Sequence, residues 1–328
     1  MPRPLIAILG CGRIARRHAA AARRLRPPVD LAFASRSGAR ARAYAREFGG
    51  VAAFEGYEGA VRDPRVTAAI VCTPHDRHLG DTLQALGHDR HVLVEKPIAR
   101  TLAEADQMIE TARARGRVLM VAENFHYMPA FRRVRALVAA GRLGDLRDLL
   151  LVSRGFREPT GWRLEPETAG GGCLLDGGIH YVHNLRSWGG DVRRVFGLTP
   201  PRTLAARSGE DAVSALLELD RGVVGFLANS LATRGVPALQ WSSVSGTRGT
   251  CFADNRGRFV VVRGVDGSSA RAYWRDRRGH EAMLRAFLGA ITTGVPPETD
   301  GREGRRDLAV VLAVYRSVRE RLPVDVEC

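Results

Sequence analysis

Short apolar runs alternate with segments of helical periodicity along the first third of the chain. The apolar runs predict strands at Leu5–Leu9, Val29–Ala34, Ala68–Cys72, His91–Val94 and Val118–Ala122. The periodic segments between them predict helices at Arg13–Arg26, Gly38–Phe48, Arg77–Leu86 and Leu102–Arg113. Because strands that alternate with helices of this length form right-handed βαβ units, we expect an α/β fold with a doubly wound parallel sheet.

The pattern changes near residue 124. A helix is predicted at Pro129–Ala140, and two helices close the chain at Glu281–Thr292 and Arg305–Arg321. Between them lie β-rich segments separated by turns, at Leu146–Val152, Ala212–Leu219, Val223–Ser230, Ala238–Ser243, Thr250–Ala253, Arg258–Val262 and Ser269–Trp274. Such neighbours are most simply antiparallel. We therefore predict two domains, 1–123 and 124–328, the second an α+β domain built on one antiparallel sheet.

Composition narrows the class of protein. The chain has 328 residues, of which 45% are hydrophobic and 26% charged, as is typical of a folded soluble protein. Five scattered cysteines favour a reducing compartment, and no apolar stretch reaches the length of a signal or membrane-spanning segment, so we expect a cytoplasmic protein with no membrane partner. The net charge of +15 lies on arginines spread along the whole chain, which favours a solvated surface over nucleic-acid binding.

A glycine-rich turn follows the first predicted strand. Gly10-Cys11-Gly12-Arg13-Ile14-Ala15 fits the G-x-G-x-x-[GA] pattern, with a strand before it and a helix after it. Gly10 permits the turn, Gly12 lets the backbone approach a pyrophosphate, and Ala15 lets helix and strand pack closely. We predict a Rossmann domain that binds a nicotinamide dinucleotide through Gly10, Cys11, Gly12, Arg13 and Ile14.

The end of the second strand indicates which dinucleotide. An NAD-specific protein normally has an acidic residue there to hold the ribose 2′-hydroxyl, whereas this chain has Ser35 and Arg36. A hydroxyl followed by a guanidinium suits a 2′-phosphate, so we predict NADP over NAD. The plainer interpretation is that Arg36 is one more arginine among many.

The chain has a single lysine, Lys96, within Val94-Glu95-Lys96-Pro97-Ile98. Arginine supplies all other positive charge, and arginine does not deprotonate in a protein, whereas a lysine can donate and accept a proton. This pattern predicts an acid/base catalyst. The alternative is a surface lysine left by an arginine-biased composition.

Two further regions place polar residues where a core would exclude them. Thr73-Pro74-His75-Asp76-Arg77-His78 follows a predicted parallel strand, at the edge where open α/β sheets bind ligands. In the segment 170–183, a helix beginning near Gly172 would place Asp176 and His180 on one face, where Asp176 could position the imidazole. Asp176, His180 and His183 could also form a metal cluster, but the chain lacks cysteine partners or an HExxH frame, so we predict no metal.

These motifs together resemble the Gfo/Idh/MocA family of oxidoreductases, which includes glucose-fructose oxidoreductase, inositol dehydrogenases and 1,5-anhydrofructose reductase. The resemblance covers essentially the whole chain. It is carried by the glycine loop, Thr73-Pro74 with His78, Glu95-Lys96-Pro97, Ala122-Glu123-Asn124, Gly161-Trp162-Arg163, the Asp176-x-x-x-His180 block and Tyr315-Arg316-Ser317.

The resemblance implies a Rossmann domain followed by a domain with an open-faced sheet. Lys96 and His180 match the family's proton-transferring pair, and Asp176 matches the acid that contacts substrate or orients the histidine. The implied further cofactor contacts are Thr73, Pro74, His75, His78, Glu95, Lys96, Asn124, Trp162 and Arg163. The implied substrate contacts are Lys96, Tyr127, Arg163, Asp176, His180 and His183. His183 stands where many members have an aspartate, His75 where an asparagine is common, and Phe125-His126-Tyr127 where many carry an arginine.

The expected reaction is hydride transfer between NADP(H) and a hydroxyl- or carbonyl-bearing carbon of a sugar, sugar derivative or cyclitol. Two other functions stay open: a non-catalytic NADP-dependent sensor, and a reductase of a non-carbohydrate C=O, C=N or C=C bond, as in dihydrodiol dehydrogenase or biliverdin reductase. In the resembled family the open sheet face pairs between subunits, so we expect a homodimer or homotetramer.

Overall fold

The computed structural model describes residues 3–204, 206, 209–235 and 240–327. These residues form two compact units. The first contains the chain up to Glu123 together with His280–Arg305, and the second contains Asn124–Gly279 and the chain from Arg306 onward.

The first unit is built on six parallel strands in the order β3-β2-β1-β4-β5-β6. The strands are β1 (Leu5–Leu9), β2 (Asp30–Ser35), β3 (Ala52–Glu55), β4 (Val66–Val71), β5 (His91–Val94) and β6 (Leu119–Val121). The helices between them are α1 (Arg13–Ala22), α2 (Gly38–Phe48), α3 (Glu58–Arg62), α4 (His78–Gly87) and α5 (Leu102–Ala114). Every residue of β1 is buried, as expected of a strand covered on both faces. The prediction of a doubly wound parallel sheet is confirmed.

Two details of this unit differ from the prediction. Helix α1 ends at Ala22 instead of Arg26, because turns and the Pro27-Pro28 pair follow it. Strand β3 and helix α3 were not predicted. They have only four and five residues, and β3 is a partly exposed edge strand, so neither carries a clear periodic signal.

The second unit is built on nine strands in the order β14-β13-β12-β11-β7-β10-β9-β8-β15. The strands are β7 (Leu146–Arg154), β8 (Val192–Leu198), β9 (Ala212–Leu219), β10 (Val224–Ser230), β11 (Trp241–Gly246), β12 (Gly249–Asp254), β13 (Phe259–Gly264), β14 (Gly267–Ala272) and β15 (Val324–Asp325). Neighbours are antiparallel except β7 and β10, which are parallel. The prediction of a mostly antiparallel sheet is confirmed.

The helices that follow β6 in the chain are α6 (Asn124–Tyr127), α7 (Pro129–Ala139), α8 (Pro166–Ala169), α9 (Ile179–Gly189), α10 (His280–Thr293) and α11 (Gly301–Glu320). Helices α7 and α9 pack against the second sheet. Strand β8 was not predicted, because its exposed arginines interrupt the apolar pattern. The strand predicted at Ala238–Ser243 is β11, and residues 238 and 239 lie outside the described part of the chain.

The segment His280–Arg305 belongs to the first unit, whereas the prediction placed it in the domain 124–328. Helix α10 packs against α1 in the first unit. The Val121 N–H also donates to the Thr299 carbonyl at 2.8 Å, which ties the segment after α10 to β6. A return of the chain to an earlier unit leaves no periodic signal, so sequence order alone could not show it.

One face of the second sheet is exposed and carries a row of apolar side chains. Phe196, Leu216, Phe226 and Leu150 are register partners on four adjacent strands. Leu216 is 51% exposed and Leu150 37%, while Leu149 and Leu217 on the opposite face are buried. The sheet thus has one covered face and one apolar, exposed face.

Candidate functional site

The glycine turn after β1 has the shape that a dinucleotide requires. Gly10 adopts φ +97°, and a Cβ atom there would lie 3.0 Å from the Cys72 carbonyl group, so a side chain would be both strained and crowded. Gly12 begins α1 without a side-chain cap, and a Cβ atom at Gly12 would meet no atom within 4 Å. The first N–H groups of α1 therefore adjoin open space, which fits a pyrophosphate.

The other predicted residues of this turn contribute mainly backbone. Arg13 is exposed and Ile14 is half-buried. Cys11 is buried with its Sγ 3.7 Å from the Ala34 carbonyl, and burial raises the pKa of the thiol to about 11. Cys11 is therefore a neutral packing residue at physiological pH.

Ser35 and Arg36 lie where β2 ends. The Ser35 hydroxyl is buried and accepts a hydrogen bond from the Ser37 N–H at 3.2 Å, and Arg36 is exposed. Glu55 is the register partner of Ser35 on β3, and its carboxylate would lie 2.6 Å from a Cβ atom at Gly38. Glu55 was not predicted to lie near the cofactor site, because strand β3 was not predicted.

The segment after β4 is tied to the segment after β5 by His78. This side chain is fully buried, with Nδ1 2.8 Å from the Pro97 carbonyl oxygen and Nε2 3.1 Å from the Thr73 carbonyl oxygen. Burial lowers the pKa of the His78 imidazole despite these acceptors. His78 thus positions both turns and has no exposed surface for a cofactor, whereas Thr73 and His75 retain slight exposure.

Glu95 and Lys96 follow β5, and the Lys96–Pro97 peptide is cis. The Glu95 carboxylate lies 2.7 Å from Nε2 of His18 and accepts the Lys96 N–H at 3.3 Å. Burial would raise the pKa of Glu95, but the hydrogen bond with His18 and the positive charges of His18, Lys96 and His280 lower it to about 2. Lys96 is half-buried beside this fixed carboxylate.

His18 was missed by the sequence analysis. It is fully buried on α1, on the same face as Ala15, Ala19 and Ala22. A histidine at helical spacing within an otherwise alanine-lined face was the available signal.

In the second unit, the carboxylate of Asp176 accepts hydrogen bonds from two arginines. Arg163 donates from Nε to Oδ2 at 2.9 Å and from Nη2 to Oδ1 at 3.1 Å, and Arg157 donates to Oδ2 at 3.3 Å. The guanidinium of Arg163 also lies 4.1 Å from the centroid of the Trp162 ring. The structure therefore brings together three predicted site residues, Trp162, Arg163 and Asp176.

The glycine-rich block is anchored from α11. The Tyr315 hydroxyl accepts the N–H groups of Gly172 and Leu175 and donates to Glu210 at 3.0 Å. A Cβ atom at Gly172 would collide with the Glu210 backbone. A helix begins near Gly172: the Asp176 N–H donates to the Gly172 carbonyl at 3.1 Å, and Leu174–Gly178 forms a π-helical turn that leads into α9. Because four residues are close to one turn of either helix type, the shared face of Asp176 and His180 stays a prediction.

His180 lies on a flat aromatic platform. Its ring stacks on Phe125 with 4.2 Å between centroids and 6° between planes. Phe125 is buried and His180 is half-exposed, so the stack fixes the plane of an accessible imidazole.

His183 takes part in a buried chain of polar contacts. Its Nε2 lies 2.8 Å from Nδ1 of His126, and its Nδ1 lies 2.8 Å from Oδ2 of Asp307. Nη1 of Arg135 lies 3.1 Å from the same Nδ1 of His126 and donates to the His126 carbonyl oxygen at 3.2 Å. Burial would raise the pKa of Asp307, but the charges of His183 and Arg186 lower it.

The two remaining predicted residues lie on α6. Asn124 donates from its side chain to the Arg278 carbonyl at 2.7 Å, and Tyr127 is buried against the His126 ring. His183 is only 3% exposed, with both ring nitrogens bound within the protein, which leaves neither for a substrate hydroxyl. The described residues include no group of three or more metal-binding side chains. They also include no helix with the length and hydropathy of a membrane span.

Two family models match the chain. The model described as "Oxidoreductase family, NAD-binding Rossmann fold" matches residues 5–123, and the model described as "GFO/IDH/MocA C-terminal domain" matches residues 131–252. The chain belongs to the Gfo/Idh/MocA family. The resemblance noted in the sequence is thereby confirmed, and the chain is an NAD(P)-binding oxidoreductase of the dehydrogenase and reductase class.

Several members of the Gfo/Idh/MocA family are similar over the full length. The chain is 29% identical to 1,5-anhydro-D-fructose reductase of Ensifer adhaerens, over 98% of each chain. It is 26% identical to myo-inositol 2-dehydrogenase of Thermotoga maritima, again over 98% of each. Levoglucosan dehydrogenase in complex with NADH has the same fold, with a TM-score of 0.91, 20% identity and coverage of 99% of this chain and 100% of that one.

Proposed function

We propose that this oxidoreductase transfers a hydride reversibly between NADP(H) and a carbon bearing a hydroxyl or carbonyl group, on a sugar, sugar derivative or cyclitol. The observation that carries the proposal is the placement of the only lysine beside a buried, ionised carboxylate at the carboxyl end of β5. The relatives named for reduction of an anhydrofructose and oxidation of an inositol support the substrate class.

The protein's own task is to handle a proton. The bound nicotinamide supplies or accepts the hydride. An alcohol releases hydride only as its O–H proton leaves, so a base must accept that proton, and the reverse reaction needs an acid. We assign this role to Lys96 together with His180, whose ring plane is fixed by Phe125. Two hydrogen bonds to Asp176 hold the guanidinium of Arg163 in place beside the Trp162 ring.

The NADP preference rests on Ser35 and Arg36. A guanidinium can bind a 2′-phosphate through paired hydrogen bonds, and Arg36 is exposed at the end of β2 where that phosphate would lie. Glu55 adds a negative charge on the neighbouring strand, so the contribution of Arg36 must exceed that of Glu55 for NADP to be preferred.

Association is proposed through the exposed face of the second sheet. The apolar row of Phe196, Leu216, Phe226 and Leu150 would be covered by the same row of a second copy. An interface in which the same patch meets itself gives a closed dimer, and two such interfaces give a tetramer. A homo-oligomer therefore accounts for apolar side chains left exposed on a folded sheet.

Substitution of Lys96 tests the catalytic proposal. Lys96→Arg keeps the positive charge but cannot release a proton, and Lys96→Met removes both. Both variants should lose about 10²–10⁴-fold in turnover, while NADPH affinity changes much less. The measurement is NADPH oxidation with a panel of keto-sugars and keto-cyclitols, and NADP⁺ reduction with the corresponding alcohols.

Arg115→Met, which removes an exposed cation of the first unit, is the control and should retain turnover. Near wild-type turnover of Lys96→Arg on the active substrate would overturn the role of Lys96 as a proton-transfer group. Tight NADPH binding without turnover on any panel member would favour the sensor function. Turnover confined to non-carbohydrate carbonyls would instead favour the alternative reductase.

A further inference from the structure

Glu95 is held by a histidine that lies 77 residues earlier in the chain. His18 is fully buried on α1, and its Nε2 lies 2.7 Å from Oε1 of Glu95. The carboxylate's other oxygen accepts the Lys96 N–H. One side chain thus connects the helix that starts at the glycine turn to the segment that carries the lysine.

The position of the proton on His18 follows from its surroundings. An ionised carboxylate only accepts, so Nε2 of His18 is the donor. Its Nδ1 is buried and has no hydrogen-bond partner among the described residues.

Several titratable groups from other elements face Glu95. His280 of α10 lies edge-on to His18 with 5.8 Å between ring centroids, and its charge acts on Glu95. His78 of α4 and Cys72 after β4 also interact with it electrostatically. The pKa of the Cys72 thiol is raised well above its usual value by burial and by Glu95, so this thiol stays neutral. Glu95 therefore supplies the negative charge among these groups.

We propose that His18 is a positioning residue for Lys96. By holding Glu95 as an oriented carboxylate, it sets the charge environment in which Lys96 takes up and releases a proton. His18 lies six residues from Gly12 on one helix, a rise of about 9 Å, so the phosphate end of α1 and the lysine segment are joined by a rigid element. The inference rests on the proposed function of Lys96.

The single lysine permits a direct test that needs no substrate. Protein labelled with ¹³C at lysine Cε gives one lysine signal, that of Lys96, whose pH titration is followed by NMR. In His18→Leu the carboxylate loses its partner and stabilises the ammonium less well, so the titration midpoint should move down by about 0.5–1 pH unit. His18→Gln retains an N–H at the position of Nε2 and should keep the midpoint near the wild-type value. His88→Leu, a half-exposed histidine of the same unit, should have no effect.

The same His18→Leu substitution in a Glu95→Gln variant shows whether His18 acts through Glu95. In Glu95→Gln the charge is absent, so adding His18→Leu should produce no further shift of the Lys96 midpoint. The comparison of Glu95→Gln with and without His18→Leu also tests the role of His18 if His18→Leu alone fails to fold. In this background the neutral amide removes the unpaired buried charge. An unchanged midpoint in folded His18→Leu, or an equal shift in the Glu95→Gln background, would overturn the inference.

Kinetics separate this inference from the proposed function. With an active substrate of the panel, His18→Leu should lower kcat about 10- to 100-fold, and His18→Gln should restore most of it. NADPH affinity should change less than about threefold. If Lys96→Met keeps its turnover, the proton-transfer function fails while the NMR result stands. If Lys96→Met is inactive and His18→Leu leaves both kcat and the midpoint unchanged, only the role of His18 fails.

Discussion

Replacing Glu95 by glutamine should make the unfolding free energy of the first unit less sensitive to acid. The pKa of this carboxyl is lowered from 4.5 to about 2 in the folded protein. A depressed folded-state pKa gives stability that is present above the unfolded value and is lost as the pH falls toward the folded value. Each unit of pKa corresponds to about 1.4 kcal/mol, so the shift corresponds to about 3 kcal/mol of unfolding free energy. The wild type should therefore exceed Glu95→Gln in stability near pH 6, and the difference should shrink by about this amount as the pH falls toward 2.

The assay is urea unfolding at pH values from 6 to 2.5, followed by far-UV circular dichroism. All four tryptophans, at 162, 188, 241 and 274, belong to the second unit, so tryptophan fluorescence follows that unit separately. The change between wild type and Glu95→Gln should appear in the dichroism and be much smaller in the fluorescence transition.

Glu58→Gln is the matched control. Glu58 is an exposed carboxyl of the same unit, 2.6 Å from Arg62, and exposed ion pairs contribute little to stability. Its effect on the unfolding free energy should be small at every pH. A constant difference between wild type and Glu95→Gln from pH 6 to pH 2.5 would refute the reasoning that the buried contacts depress this pKa.

Two other predictions concern the cofactor and the assembly. NADPH should bind more tightly than NADH in fluorescence titrations, and Arg36→Ala should weaken NADPH by about tenfold while leaving NADH unchanged; equal wild-type affinities would contradict the assignment. Leu216→Asp places a charge in the exposed apolar row and should convert the oligomer to monomer in light scattering, whereas Ser214→Asp, also exposed on β9, should weaken association less; a monomeric wild type at micromolar concentration would contradict the proposed interface.

Much of the fold was accessible from sequence because its strongest signals are local. Strands β1, β4 and β5 are mostly apolar and buried, helices α2 and α5 have side-chain caps at Ser37 and Thr101, and helix α7 begins with a proline. The missed elements are those whose apolar signal is diluted. Strand β8 has two adjacent arginines at exposed positions, and β3 is a short edge strand. The return of α10 to the first unit depends on long-range packing, which no local pattern encodes.

The candidate site divides in the same way. The glycine turn and Lys96 can be recognised in the sequence because their residue types are unusual at their positions. Other site residues are identified by contacts across long sequence separations: His18 with Glu95, Phe125 with His180, and Asp307 with His183. The π-helical form of the turn at Leu174–Gly178 was not predicted, because composition does not distinguish it from an α-helical turn.

The substitution at position 183 also changes where substrate recognition can occur. Many members of the family have an aspartate at this position, a side chain that can accept from a substrate hydroxyl. Here the position is His183, and the carboxylate that accompanies it is Asp307, buried and shared with Arg186. The carboxylate of Asp307 lies in the core, where it contacts His183, and His183 in turn contacts His126 of helix α6. If the second unit binds a substrate hydroxyl, we expect the contact to come from the half-exposed His180 and the Trp162–Arg163 pair.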